Sequence, residues 1–267
     1  MKVVKLAAPC DSEVHLYLVG DEHAGTKYHA EKELAKSIKR IQHDPFARWI
    51  GMGDKCDFIT PSDPRWDGGS ICSWVHPDNI ALDQCDYYCD ALAPIADKCD
   101  GLLWGNHEYE IRKHCHVDVQ KYICEKLGVR DLSYQAWIHY TFQPTKTQKV
   151  GIDVVVTHGA GAAITRGAKL TRLERLMNAF GADIYGHGHV HDVILHPGNP
   201  YLYLTRDGRL KQRRKVGAMT GCYFRTYTQD VESSYGERKN YPPNIIGSPM
   251  FRIAIDADAN AEVSVSA

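Results

Sequence analysis

The 267-residue sequence has no excess of either charge, since 32 Lys and Arg residues stand against 33 Asp and Glu residues. A near-neutral chain lacks the general basic surplus that favours non-specific binding to nucleic acid or anionic membranes, so a site for a polyanion must be local. The sequence also lacks an apolar run of the roughly 20 residues that a membrane span needs. Lys5 interrupts the apolar start before it could form a signal-peptide core, and we expect this segment to be a strand.

The nine cysteines form no C-x-x-C pair. Their odd number, without the spacing of a short secreted domain, favours reduced thiols and a cytoplasmic protein over a disulfide framework. Seven of them fall between Cys56 and Cys124, a stretch that also holds His76, His114 and His116. A structural zinc site is therefore an alternative to buried thiols in this stretch.

No low-complexity tract, internal repeat or linker divides the sequence, so we predict a single domain over residues 1–267. Five short apolar segments each end abruptly in Gly, Asp, Asn or His, at residues 15–21, 48–54, 101–106, 154–158 and 184–187. Apolar runs of this length, separated by helical patterns, are typical of strands buried on both faces of a largely parallel or mixed sheet. Polar residues at the carboxyl ends of such strands gather in one crevice.

Segments with helical periodicity lie between these apolar segments. Ala30, Leu34, Ile38 and Ile41 recur on one face of a predicted crossover helix, and similar patterns cover residues 79–97, 110–127 and 168–180. Beyond residue 191 the sequence predicts strands at 201–204, 215–222, 251–255 and 263–265 with little helix between them. A second sheet packed on the first is implied, and the predicted fold is an α/β/β/α sandwich of two mixed sheets flanked by helices.

Two polar stretches, residues 57–78 and 230–249, are long enough to be functional loops and are candidate rims of the crevice. Trp66 and Trp74 in the first stretch either stack on nucleobases or pack beneath the loop. Six basic residues between positions 206 and 215 form either a solvated hairpin or a phosphate-contact patch.

Five motifs follow the predicted strands, namely Gly20-Asp21-Glu22-His23, Gly53-Asp54-Lys55-Cys56-Asp57, Gly105-Asn106-His107-Glu108, Thr157-His158-Gly159 and Gly186-His187-Gly188-His189. Each motif alone is weak evidence, because a single His beside Gly is usually a turn or core residue. Together they would bury many polar groups, and leaving them unpartnered would be costly. Divalent cations remove this cost, and mixed O and N ligands suit first-row metals, with manganese expected first and iron, zinc, nickel or cobalt as alternatives. Seven candidate ligands suffice for two divalent metal ions: Asp21, His23, Asp54, Asn106, His158, His187 and His189.

In order and type, these motifs resemble the calcineurin-like metallophosphoesterase superfamily, whose signature is D-x-H, G-D-x-x-D, G-N-H-[DE], a later His before Gly, and G-H-x-H. The resemblance covers residues 15–191. It implies that Asp54 bridges two metals, the first held also by Asp21, His23 and His189, and the second by Asn106, His158 and His187. It further implies that His107 is a general acid or phosphate contact whose ring is oriented by Asp57. Glu22 and Glu108 receive no role.

The resemblance implies a catalytic domain that hydrolyses phosphoric esters, in which two metals acidify a bridging water and clamp the phosphate. The protein Ser/Thr phosphatase branch places Arg-Gly after G-D-x-x-D and Arg before G-N-H-E, whereas Phe58-Ile59 and Trp104 stand here. The chain is more similar to the branch of Mre11-type nucleases and small phosphodiesterases. We therefore expect a phosphodiesterase that acts on a nucleotide or nucleic-acid diester and has no membrane partner. The alternatives are a phosphomonoesterase on a small molecule or protein, and a non-catalytic binding module such as the retromer subunit of this fold.

Overall fold

The computed structural model describes residues 1–161, 163–198 and 200–267. Within these ranges the strands are β1 (Lys2–Ala7), β2 (Glu13–Val19), β3 (Ala47–Gly51), β4 (Cys99–Leu102), β5 (Gln135–Phe142), β6 (Val150–Thr157), β7 (Ile184–His187), β8 (Val193–His196), β9 (Pro200–Leu204), β10 (Leu210–Arg214), β11 (Val216–Thr220), β12 (Met250–Ile255) and β13 (Ala261–Ser266). The α-helices are α1 (Glu31–His43), α2 (Ile80–Leu92), α3 (Asn106–Cys115), α4 (Val119–Leu127), α5 (Arg166–Ala179) and α6 (Tyr235–Arg238). Short 3₁₀ helices cover Gly68–Ser70 and Ala93–Lys98.

The strands form two large mixed sheets. Six strands make the first sheet in the order β1-β5-β6-β7-β11-β8, and five make the second in the order β13-β12-β2-β3-β4. Strands β2, β3 and β4 run parallel to one another, as do β6, β7 and β11. The carboxyl ends of these parallel strands carry the motif residues, so both sheets deliver polar side chains to one edge.

Alternation along each strand separates three layers of core. Leu16 and Leu18 of β2 lie in the core between the two sheets, whereas Tyr17 and Val19 lie in the core that contains residues of α1, α2 and α4. In β6, Val154 and Val156 join the central core and Val155 joins residues of α5 in the third core. Because successive side chains of a strand point to opposite faces, this division confirms the predicted α/β/β/α sandwich.

The five apolar segments are strands, but they do not lie in one sheet as their common pattern indicated. Three of them belong to the five-stranded sheet and two to the six-stranded sheet. The late strands also do not form a separate second sheet, since β11 pairs with β7 and β12 pairs with β2. A continuous apolar run indicates that a strand is buried on both faces. The strands that lie beside it are determined by pairings between residues far apart in sequence.

Two local predictions also need correction. Residues 110–127 form two helices rather than one, because His116 adopts a left-handed conformation (φ 57°) that ends α3, and Asp118 then caps α4 by accepting a hydrogen bond from the Lys121 amide. Strand β5 was not predicted, although its burial alternates regularly. Its half-buried positions hold Trp137 and His139, so the less buried face of the strand is not the uniformly polar face by which an alternating strand is recognised.

Among the described residues all nine cysteines are free thiols, and six are buried. The candidate metal-binding groups among the described residues contain no cysteine. Strands β9 and β10 form the exposed hairpin that was one of two interpretations of the basic segment. Trp74 stacks on Tyr87 of α2, with 4.5 Å between ring centroids. None of the described helices has the length and apolar character that crossing a membrane requires.

Candidate metal centre

The motif residues follow the carboxyl ends of five strands taken from both sheets. Asp21 and His23 follow β2, Asp54 follows β3, and Asn106 begins α3 after β4. His158 follows β6, and the segment from His187 to His191 follows β7. The two sheets therefore bring side chains from distant parts of the sequence to one floor.

The backbone of this floor is strained at several ligand positions. Asp21, His23, Asp54, His189 and His191 all have positive φ, between 46° and 70°. Such conformations are uncommon for residues other than glycine and cost of order 1–3 kcal/mol each, so they persist where the surrounding structure or function requires them. They turn the chain sharply within the loops that carry these side chains.

Two glycines permit close packing around the ligands. A Cβ atom at Gly105 would collide with the Asp54 carboxylate and backbone, and one at Gly159 would collide with the His187 ring. The glycines of these motifs are therefore required by the space that the neighbouring ligand side chains occupy.

A buried carboxylate fixes two of the motif loops relative to each other. Glu108 accepts hydrogen bonds from the backbone amides of Asp54 (3.1 Å), Lys55 (2.9 Å) and Gly105 (2.6 Å). The Lys55 ammonium lies 3.3 Å from the same carboxylate and also donates to the Leu103 carbonyl and to Gln120. Both charged groups are almost completely buried, and although burial lowers it, the charge of Glu108 raises the pKa of Lys55. The sequence analysis gave Glu108 no role. A motif of metal ligands does not show which carboxylates bind backbone amides.

Three electron-rich atoms converge in one half of the site. The Nδ1–H of His158 donates to the Met52 carbonyl (2.8 Å), which leaves Nε2 facing Asn106 Oδ1 at 3.1 Å and Asp54 Oδ2 at 3.3 Å. Although burial lowers it, the charge of Asp54 raises the pKa of His158 to about 9. The surroundings of Nε2 therefore favour a positive charge at this point, which either a proton or a metal ion can supply.

The site also holds buried polar atoms that have no hydrogen-bond partner. Among the described residues, Asp21 Oδ1, His23 Nδ1 and His189 Nδ1 are buried and accept or donate no hydrogen bond. Burial lowers the pKa of His189 to about 4, so its ring is neutral and able to act as a ligand. Buried polar groups are normally satisfied, and a cation would satisfy these. The donor set of carboxylate, imidazole and amide fits a divalent first-row metal.

Among the described residues, three groups of side chains are close enough to bind a metal, each with one ligand atom per residue and all ligand atoms of a group within 4.8 Å of one another. The groups are Asp21 with His23 and His191, His23 with Asp57 and His107, and Asp54 with His158 and His189. His23 and Asp54 connect them, since His23 Nε2 is 4.0 Å from Asp54 Oδ2. Asn106 lies against the third group, and His187 is buried beside Gly159, with its Nδ1–H donated to the Gly188 carbonyl.

His107 is held at the edge of the floor by backbone contacts. Its amide donates to Asp54 Oδ1 (3.0 Å), and its ring Nδ1–H donates to the backbone carbonyl of Asp57. The Asp57 carboxylate lies farther away, 4.0 Å from His107 Nδ1 and 3.6 Å from His23 Nδ1. The Nε2 atom of His107 faces Arg65 Nη1 at 3.4 Å. Arg65, which the sequence analysis did not single out, is itself held by two hydrogen bonds to the Asp63 carboxylate.

A cleft of about 400 Å³ opens above this floor. Both loops predicted as rims line it, the first with Arg65 and Asp67 and the second with Tyr235, Arg238 and Tyr241. The two rims touch, because Arg238 Nη1 lies 3.2 Å from Asp67 Oδ2. The cleft is therefore bounded on the side where these loops meet.

The chain matches no protein-family model, and no curated protein sequence is significantly similar to it. Solved structures with a similar fold include a predicted phosphoesterase from Streptococcus pneumoniae, with 11% identity, coverage of 95% of this chain and 89% of that chain, and a TM-score of 0.35. The calcineurin-like phosphoesterase YfkN from Bacillus subtilis has 12% identity, coverage of 96% and 90%, and a TM-score of 0.39. Vacuolar Protein Sorting 29 from Cryptosporidium parvum has 14% identity, coverage of 96% and 98%, and a TM-score of 0.37.

The likeness to these structures is one of fold alone. At such low identities and scores, the similarities say nothing about the activity of this chain. The site's own geometry has to support any function.

Substitution of Glu108 tests whether its buried carboxylate anchors the motif loops. Glu108→Ala should lower the free energy of unfolding by about 3–5 kcal/mol, the usual cost of removing one partner of a buried ion pair. It should also weaken metal binding, because the loops that carry Asp54 and Asn106 lose their common anchor. Urea unfolding in the presence of chelator measures the first effect, and calorimetric titration with Mn²⁺ measures the second.

Glu110→Ala is the matched control, since Glu110 lies on the same helix and pairs with His114 at the surface. We expect this control to stay within about 1 kcal/mol of the original protein. If the two variants unfold alike, Glu108 does not anchor the loops.

Proposed function

We propose that the protein is a metal-dependent phosphodiesterase that hydrolyses a nucleotide-like diester in the cleft above Asp54. The convergence of Asp54, Asn106 and the His158 Nε2 atom beside the unpartnered ligand atoms of Asp21, His23 and His189 carries this proposal. Bound divalent cations would lower the pKa of a water molecule and neutralise charge on the phosphate. Manganese suits the mixed donor set, and the free thiols favour a cytoplasmic protein.

Side chains of the protein would bind the cations, contact the phosphate and protonate the leaving group. Asp54 would contact both cations, and its pKa stays well below the usual value, despite burial, because of the neighbouring His158 charge. Arg65 lines the cleft with an exposed guanidinium, which can bind phosphate oxygens through paired donors. His107 lies within 4.7 Å of the His23 ring, on the Arg65 side of the floor, where a leaving oxygen would be reached.

His107 can protonate a leaving oxygen only through Nε2, because Nδ1–H is committed to the Asp57 carbonyl. Arg65 faces Nε2 in the present arrangement and, being always protonated, requires that nitrogen to accept. An anionic phosphate would compete for Arg65 and release Nε2, which would then take up a proton from water before donating it to the leaving oxygen. The acid role therefore depends on Arg65 turning to the substrate.

The first test is a comparison of bis(para-nitrophenyl) phosphate with para-nitrophenyl phosphate. We expect about two metals per chain by elemental analysis, complete loss of hydrolysis with chelator, recovery with Mn²⁺, and faster turnover of the diester. Full activity in metal-free protein would refute the proposal. A clear preference for the monoester would identify a phosphatase, and metal binding without hydrolysis of either ester would favour a binding module.

The volume of the cleft restricts which substrates can enter it. A cleft of about 400 Å³ falls in the range of roughly 300–1,000 Å³ typical of small-molecule sites. The contact between Asp67 and Arg238 closes one side, and the Tyr28 hydroxyl, which lies outside both rims, donates to the Glu232 carbonyl of the second rim at 3.0 Å. We therefore propose that a small diester or a strand end enters, and that the interior of a long strand does not.

A dinucleotide and closed circular single-stranded DNA distinguish these cases. The dinucleotide should be hydrolysed and the circle, which has no end, should persist under the same conditions, as followed by chromatography and gel electrophoresis. Cleavage of the circle at a comparable rate would show that the rims open for a polymer. A linear strand of the same sequence is the control for inhibition by length alone.

His107→Asn tests the acid role. We expect both metals to stay bound and hydrolysis of nucleoside diesters to slow by about 10²-fold to 10⁴-fold, the range for general acid catalysis. The deficit should shrink for para-nitrophenyl esters, whose leaving group departs without a proton. Elemental analysis measures the metal content of the variant, and hydrolysis rates of nucleoside and para-nitrophenyl esters measure the dependence on the leaving group.

His114→Asn is the control, because His114 is exposed on the same helix. An equal loss of hydrolysis rate for both leaving groups would indicate that His107 binds phosphate. Loss of a metal ion from the variant would indicate that His107 is a metal ligand.

A further inference from the structure

Aromatic rings line the cleft together with the candidate metal ligands. Phe224, Tyr235 and Tyr241 are among the lining residues. Phe224 connects the rings to the floor, since its centroid lies 5.2 Å from that of His23 and 5.5 Å from that of Tyr28. An ester whose phosphate lies at the floor can therefore reach aromatic side chains within the same cleft.

Tyr235 has the most exposed ring of this set. The residue is 52% exposed, whereas Phe224 and Tyr241 are half-buried and Tyr28 is buried. The ring of Tyr241 meets it edge to face, with 6.3 Å between centroids. Lys239 Nζ lies 5.9 Å from the centre of the Tyr235 ring, at the outer limit of a cation–π contact, and an incoming group can displace this exposed side chain. Ring surface of Tyr235 is thus available to a planar ligand.

The helical turn that carries Tyr235 is held in place by its own hydrogen bonds. Ser234, which is buried, accepts a hydrogen bond from the Glu237 amide at 3.1 Å and donates one to the Thr226 carbonyl at 2.6 Å. A binding group that is already ordered loses less conformational entropy when its ligand arrives. The position of Tyr235 is therefore suited to recognition.

The surroundings of Tyr235 favour an uncharged ligand group. Among the described residues of the second rim, Arg238 is the one charged group that lines the cleft, and it lies 3.2 Å from the Asp67 carboxylate. The Thr226 hydroxyl is also occupied, since it donates to the Pro242 carbonyl at 3.1 Å. This part of the cleft therefore offers aromatic surface rather than a second site for a phosphate or carboxylate.

We infer that Tyr235 is the platform on which a nucleobase of the substrate stacks while the phosphate lies at the floor. This inference rests on the proposed function and names the part of the nucleotide that the rim recognises. A base is planar and uncharged, and each base has a π-face that can stack on an aromatic ring. Among the described residues that line the cleft, neither Trp66 nor Trp74 occurs, and Trp74 is already stacked on Tyr87.

Two esters that differ only in the base test the assignment. The para-nitrophenyl ester of thymidine monophosphate and the same ester of an abasic deoxyribose phosphate share the leaving group, sugar and charge. With Mn²⁺ bound, the original protein should hydrolyse the thymidine ester with a kcat/KM roughly 5- to 150-fold higher, as expected for one stacked base. Tyr235→Ala should remove most of this ratio, chiefly by raising KM for the thymidine ester, because stacking stabilises the bound substrate and the transition state alike.

Three further variants identify the contact. Tyr235→Phe keeps the ring and should keep the ratio of the two esters. Tyr235→Leu keeps apolar surface without a flat face and should lose the ratio. Tyr203→Ala is the matched control and should keep it, because Tyr203 is an exposed tyrosine of β9 that is not among the cleft-lining residues.

Equal kcat/KM values for the two esters in the original protein, or an unchanged ratio in Tyr235→Ala, would overturn the assignment while the phosphodiesterase proposal stands. If neither ester is hydrolysed, the proposed function fails, and calorimetric titration of the Mn²⁺-loaded protein with thymidine monophosphate and abasic deoxyribose phosphate decides the assignment. Tighter binding of the nucleotide that is lost in Tyr235→Ala would support the platform. Equal affinities for the two phosphates would exclude it.

Discussion

The geometry of the metal centre depends on the buried carboxylate of Glu108. It holds the backbone amides of Asp54, Lys55 and Gly105, which belong to loops that follow two different strands. An ionised carboxylate can be buried at this depth only because three amides and the Lys55 ammonium surround it. The carboxylate thereby fixes the distance between Asp54 and Asn106 before any cation binds. Preorganisation of this kind lowers the cost of assembling a ligand set.

The sequence predicted the layers of the fold, and the edge where the polar motif residues gather, more fully than the strand pairings. Apolar runs ending in Asp, Asn or His located five strands and the edge where their ends meet, because burial and polarity are local properties of residues such as Ile50 and Asp54. The division of these strands between two sheets was not predictable in the same way. It follows from long-range contacts such as Phe251 of β12 opposite Leu16 of β2.

The residues that sequence reasoning missed have one feature in common. Glu108, Arg65 and His191 act through contacts with residues distant in sequence, and a motif specifies only neighbours along the chain. His191 had one local signal, because it extends the alternation of His187 and His189 by two residues. That spacing is ambiguous until the left-handed turns at His189 and His191 are known, since they decide which ring faces Asp21 and which faces Asp54.

Charge balance determines when the cleft can hold a phosphate. Three carboxylates, those of Asp21, Asp54 and Asp57, lie at its floor, and Asp21 and Asp54 are completely or almost completely buried. The cationic groups around the cleft are already paired, Arg65 with Asp63, Arg238 with Asp67 and Lys169 with Asp192. Without metals, His158, whose pKa is raised to about 9, despite burial, by Asp54, offsets only one of these three charges. In the proposed function, two dications would more than balance the three carboxylates, so metal binding would also favour the binding of an anionic substrate.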